Sequence, residues 1–183
     1  MHVPLQHVVG TVALIGLVLA VGLAYNIITS YVEANVTRAQ LSQIAENVSM
    51  NLVEIISLTD FESPLTNETM MKNVNLPADI GGKAYVIKLV DAGTQASGYY
   101  VQAELVTRPD LNARAMVPIN STNKVTLQTS GTGTLNVRRG DGGRVTYAGT
   151  VYAGNTNIVV WGWKRSADST WAGIGLWKPL GAT

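Results

Sequence analysis

The first charged side chain in this sequence is Glu33, and ahead of it lies an uninterrupted apolar run, VVGTVALIGLVLAVGLAYNII, from Val8 to Ile28. About 20 such residues wound as a helix cross a hydrocarbon core of roughly 30 Å. Water is a poor solvent for that helix, so the run demands either lipid or the centre of an assembly of like chains. A secretory signal fits badly, because it carries a basic flank and a shorter apolar stretch, whereas no Lys or Arg precedes Val8. A single-span anchor usually has Lys or Arg on its cytoplasmic side, and only His2 and His7 stand there. The missing basic flank points to a processed chain.

The run has no reason to stop at a membrane surface, since neither Gly nor Pro occurs between Leu23 and Phe61. From Leu41 onward the apolar positions Leu41, Ile44, Ala45, Val48, Leu52, Ile55 and Ile56 recur at spacings of three and four. That periodicity predicts an amphipathic helix with Gln40, Gln43, Glu46, Asn47 and Glu54 on its other faces. Ser63-Pro64 closes the pattern, so residues 1–58 are expected to form the helical part, apolar over 8–28 and amphipathic over 29–58, with one helix from about Leu5 to Leu58 that is about 80 Å long. Within the apolar half Ala13, Gly16, Ala20 and Ala24 line one stripe. Small side chains there let helix backbones approach one another closely.

The remainder of the 183-residue chain suffices for one domain of ordinary size. Residues 59–82 read as an irregular connector with breaks at Ser63-Pro64 and Leu76-Pro77. After Lys83 the period becomes two, with strands expected at 83–90, 99–107, 113–119, 124–129, 134–139, 144–153, 157–165 and 171–178. Turn sequences such as Ser130 to Gly133 and Gly140 to Gly143 separate them. The fold class expected is α+β: a long hydrophobic helix followed by an antiparallel β-sandwich of immunoglobulin-like kind over 83–183. All four Trp fall between Trp161 and Trp177, and most are expected in its core or against a neighbouring chain.

Charge and inventory exclude several chemistries. A net charge of +1 leaves no footprint for nucleic acid. Without cysteine there are no disulfides, thiolate metal sites or thiol nucleophiles. Both histidines, His2 and His7, precede the apolar run and are too poorly aligned for a metal site, so the sandwich has neither a Ser-His-Asp triad nor a His-based metal centre. The carboxylates Asp79, Asp91, Glu104, Asp110, Asp141 and Asp168 mostly sit in or beside predicted turns, where Asp is common for structural reasons. Ser130 to Thr134 lacks the Lys of a phosphate loop, and Arg139-Gly140-Asp141 reads as a tight turn. No catalytic residue, metal or cofactor is expected. Acceptor sequons for N-glycosylation stand at Asn35, Asn47, Asn67 and Asn120. Glycans there, and the charge content of only 14%, suit an extracellular surface.

The order of parts resembles the type IV pilin superfamily: an apolar helix, Val8 to Ile28, continues through Thr29 to Leu58 and leads into strands after Lys83. Bacterial pilins usually carry Glu at the fifth mature position, where Leu5 stands here, and the likeness is to archaeal pilins and archaellins. The resemblance implies subunits held in the cytoplasmic membrane, extracted by a pilus assembly machine and polymerised with copies of themselves. It implies helices bundled at the filament centre, sandwiches on the outer wall, and a role in adhesion or surface attachment. The polymerisation helix would then present Val8, Ala13, Gly16, Ala20, Ala24, Ile28, Leu41, Ile44, Val48, Leu52 and Ile55. The competing expectation is a single-span membrane-anchored β-sandwich ectodomain of an envelope or archaellum motor complex, in which the helix need only span the bilayer.

Overall fold

The structure, a computed structural model, describes residues 5–62, 69–92, 98–119, 125–137, 143–155, 157–166 and 169–179. A single helix, α1 (Leu5–Glu62), precedes ten strands among them: β1 (Thr69–Asn73), β2 (Tyr85–Asp91), β3 (Tyr99–Leu105), β4 (Asn112–Val117), β5 (Val125–Leu127), β6 (Thr132–Val137), β7 (Gly143–Ala148), β8 (Thr150–Tyr152), β9 (Ile158–Ser166) and β10 (Ser169–Pro179). The chain divides into two compact units, Met1–Thr37 and Arg38–Thr183, and α1 contributes to both.

With 58 residues α1 is about 87 Å long. It outlasts the expected end at Leu58 and stops at Glu62, where the helical conformation becomes unfavourable for the residue preceding Pro64. The helical partner of the Asp60 carbonyl would be the N–H of residue 64, which proline lacks. Lys164 of β9 supplies the missing donor, its Nζ reaching Asp60 O at 2.9 Å. A cation there also opposes the negative end of the helix dipole.

The fold is α+β, with the strands in two sheets. One sheet runs β1-β9-β10-β7-β6 with β5 beside β10, and the other runs β4-β3-β2-β8. The ladders are antiparallel except β5 with β10, which is parallel and sets Thr170 opposite Val125. The first part of β10 therefore borders β5, and its last part, Gly175 to Pro179, borders β7. The strand expected over 144–153 divides at Gly149, where the chain passes from one sheet as β7 to the other as β8. Gly149 O accepts a hydrogen bond from Leu89 N at 3.1 Å, which ties that corner to β2. The stretch expected to be irregular contains β1, which pairs with β9 and sets Met71 opposite Trp161. Its sequence, TMMKN, has no alternation, and its strand form depends on a partner far along the chain.

Strand β9 is buried from Ile158 to Trp161 without interruption, which requires cover on both faces. One face packs on α1: a Cβ at Gly162 would collide with Thr59 Oγ1 and lie 3.4 Å from Ile55 O. Only glycine admits so close an approach of helix and strand. The other face carries Val159 and Trp161 into a core shared with Val137 and Val145, against which Tyr147, Trp163, Trp171 and Trp177 pack. Trp161 lies over Gly173, where a Cβ would stand 2.8 Å from Cζ2, and its Nε1 donates to Ile174 O at 3.1 Å. Tyr147 tilts against Trp161 at 5.3 Å between ring centroids, and Trp163 meets Trp171 edge-on at 6.2 Å. Of the four Trp, Trp161 is core, and the other three are half-buried and pack against it.

Gly162→Ala is expected to destabilise the chain by about 1 to 3 kcal/mol through overpacking against Thr59. Chemical denaturation should show that loss, and Thr59→Ala added to Gly162→Ala should restore part of it, since the two sites share one contact.

Candidate functional site

The two halves of α1 face opposite demands. In the unit Met1–Thr37 the apolar side chains are uncovered: Val8, Leu17 and Ile28 are 54%, 66% and 62% exposed. The most apolar part of the helix has a mean hydropathy of 2.4 with none of it buried, which is long and apolar enough to cross a membrane. Ala13, Gly16, Ala20 and Ala24 are exposed as well, and a Cβ on Gly16 would meet nothing within 4 Å. The hydroxyls of Thr11, Thr29 and Ser30 turn inward on their own helix. Thr29 donates to Tyr25 O at 2.9 Å and Ser30 to Asn26 O at 2.8 Å. Such back-bonding leaves little polar demand for water along the run.

The apolar stripe of the second half is consumed within its own chain. Leu41, Ile44, Val48, Leu52 and Ile55 are all at most 6% exposed, so these five side chains are not available to a neighbouring chain. Of the positions that a polymerisation helix would present, the structure leaves Val8, Ala13, Gly16, Ala20, Ala24 and Ile28 available and assigns the other five to folding.

The sequons divide similarly. Asn67 and Asn120 lie outside the described residues. Asn35 and Asn47 are exposed on α1, but residues two apart on a helix do not share a face. Their partner hydroxyls are therefore turned away: Thr37 is 5% exposed, and Ser49 is buried with Oγ donating to Met116 O at 2.8 Å. The Asn47 side chain is itself engaged, its Oδ1 accepting from Asn51 Nδ2 at 2.6 Å.

The remaining polar candidates are dispersed. Asp79 Oδ1 accepts from Gly82 N at 2.8 Å in a turn, and Asp110 pairs with Arg108 at 3.0 Å, which holds its carboxyl below the usual range. Asp141, Asp168, the Arg139-Gly140-Asp141 tripeptide and His2 lie outside the described residues, as does the His7 side chain. Ser130 to Thr134 turns at Gly131, φ 80°, and enters β6. No cluster of three metal-ligating side chains occurs among the described residues.

Glu104 is the buried carboxylate of the second sheet. Burial would raise its pKa, but hydrogen bonds from Lys88 and Gln102, and the charges of Lys88 and Arg114, together hold it below the usual value. Arg114 Nε in turn donates to Gln102 Oε1 at 2.8 Å, so β2, β3 and β4 are laced across one face. Tyr85 is perturbed as well: burial first, and the Asp79 charge second, push it up to about 12. It therefore stays a neutral donor, held on Pro77 O at 2.6 Å.

Two surface hollows were not legible in the sequence. One, of about 660 Å³, lies between α1 and β4 and includes the exposed Met50 and Met116. The other, of about 340 Å³, lies between α1 and the segment before β2 and is rich in carboxamides. The spacing of Gln40, Gln43 and Asn47 was the available signal for the second; the opposing wall is set by topology alone. No protein-family model, curated protein or solved structure matches this chain.

Leu52→Ala is expected to lower the unfolding free energy by about 2 to 5 kcal/mol, the cost of a core cavity. Leu17→Ala, measured alike by denaturation in detergent, should leave it unchanged. The Glu104 carboxyl is depressed in the folded chain, so the unfolded chain binds more protons as pH falls below about 4.3, and stability declines from there down to the folded pKa. Glu104→Gln should flatten that part of the stability–pH curve.

Proposed function

We propose that this chain is the structural subunit of an extracellular filament of the archaeal type IV pilus kind. The observation that carries this reading is the division of α1: one unbroken helix, Leu5–Glu62, with its apolar half uncovered and the apolar stripe from Leu41 to Ile56 buried within its own chain. In a filament, the uncovered half would exchange lipid for the equivalent helices of neighbouring copies. The stripe of Ala13, Gly16, Ala20 and Ala24 would allow close approach. Before assembly the same surface would be held in the cytoplasmic membrane, and an assembly machine would extract it. The two sheets, low in charge, would form the outer wall and serve adhesion. The chain has no enzymatic role in this reading, and its partners are other copies of itself. A membrane-anchored ectodomain is the rival: it would use the same amphipathic continuation to fold its head, but it gives no reason for a stripe of small residues along the span.

Negative-stain imaging of material sheared from the source cells is expected to show uniform thin filaments containing this chain. Recovery only from detergent-extracted membranes, as a monomer or small complex, would refute the filament. Removal of residues 1–33 should abolish polymerisation altogether; an anchored ectodomain would merely become soluble.

A further inference from the structure

The carboxamide-lined hollow lies wholly within the unit Arg38–Thr183. Its volume of about 340 Å³ falls in the range of small-ligand sites. Gln40, Gln43 and Asn47 project from one face of α1, at spacings of three and four, and Asn75 and Asp79 face them from the segment between β1 and β2. Among the described residues, the side chains of Gln40, Gln43 and Asn75 have no hydrogen-bond partner. At the base lie Ile44 and Ile80, 6% and 5% exposed.

We propose that this hollow binds a neutral, hydroxyl-rich ligand, a hexose unit of a glycan. A carboxamide offers a donor and an acceptor without charge, which matches a sugar hydroxyl that is also both. Several side by side can engage adjacent hydroxyls of one ring, and the apolar base receives its C–H face. No Lys or Arg lines the hollow, which argues against an anionic ligand, and the single carboxylate of Asp79 is too few for a calcium site. One of its oxygens is held by Gly82 N–H, and the other is left to accept from a hydroxyl.

Both walls are fixed before any ligand arrives. The helix forms one. In the other, Val74 N donates to Ile158 O at 2.9 Å, Ile80 and Lys83 exchange backbone hydrogen bonds at 3.0 and 3.1 Å, and Pro77 O is held by Tyr85. Gly81 and Gly82, at φ 58° and 75°, close the turn beneath Asp79. Such preorganisation lowers the ordering cost of binding.

The test is a titration of the full-length chain in a detergent without a sugar headgroup, followed by ¹⁵N side-chain amide signals. Glucose, galactose, mannose and N-acetylglucosamine are the probes. The expected result is a saturable shift of the Gln43 and Asn75 carboxamides with at least one of them. Binding should weaken about tenfold in Gln43→Ala/Asn75→Ala, the loss of two hydrogen bonds, with Tm unchanged because both side chains are exposed. Absence of a saturable shift with all four sugars, binding unaltered in the double variant, or a response to glucuronate alone would overturn the proposal. The readout is binding rather than polymerisation, so its failure leaves the filament reading untouched.

Discussion

Docking of the second half of α1 is the interaction on which the Arg38–Thr183 unit depends. The stripe from Leu41 to Ile56 is buried, and each such side chain contributes roughly 1.5 to 3 kcal/mol when taken from water. Both sheets meet this helix. The first reaches it through Gly162 against Thr59, through Lys164 on Asp60 O, and through Lys72 on Glu54 at 2.5 Å. The second reaches it through Ser49 on Met116 O. The ion pair is half-exposed and adds little; the close packing at Gly162 and the capping by Lys164 specify where along the helix the strands settle.

That docking has a consequence for assembly. In the filament proposed above, the amphipathic stripe is already satisfied within one chain, and the apolar half would be the surface that exchanges lipid for a neighbouring helix. Exchange between the two is governed by packing rather than by escape from water, since hydrocarbon is as apolar as Leu. Small residues then matter more than large ones. The exposed stripe of Ala13, Gly16, Ala20 and Ala24 is the feature of the first unit that bears on this exchange. Meanwhile Lys88, Gln102, Glu104 and Arg114 tie their sheet together from its outer face, and Gln40, Gln43 and Asn75 leave an uncharged set of donors and acceptors on the surface.

Apolar periodicity and turn residues determined the helix, its change of character after Ile28, its end near Pro64 and most strand positions, because those signals are local: a charge-free run, a spacing of three and four, an alternation of two. The same logic places Trp161 in a core, with Trp163, Trp171 and Trp177 half-buried against it. Tertiary structure alone decided what lies between distant segments. TMMKN becomes β1 because β9 offers it an edge, the expected 144–153 strand breaks because Gly149 turns the chain between sheets, and β5 runs parallel to β10. It likewise decided that the stripe from Leu41 to Ile55 serves folding while Val8 to Ile28 remain uncovered, although one continuous helix carries both, since burial depends on what the folded chain brings alongside. The hollow beside Gln43 belongs to the same class: a sequence can align carboxamides on a helix face, but only the fold sets Asn75 and Asp79 opposite them.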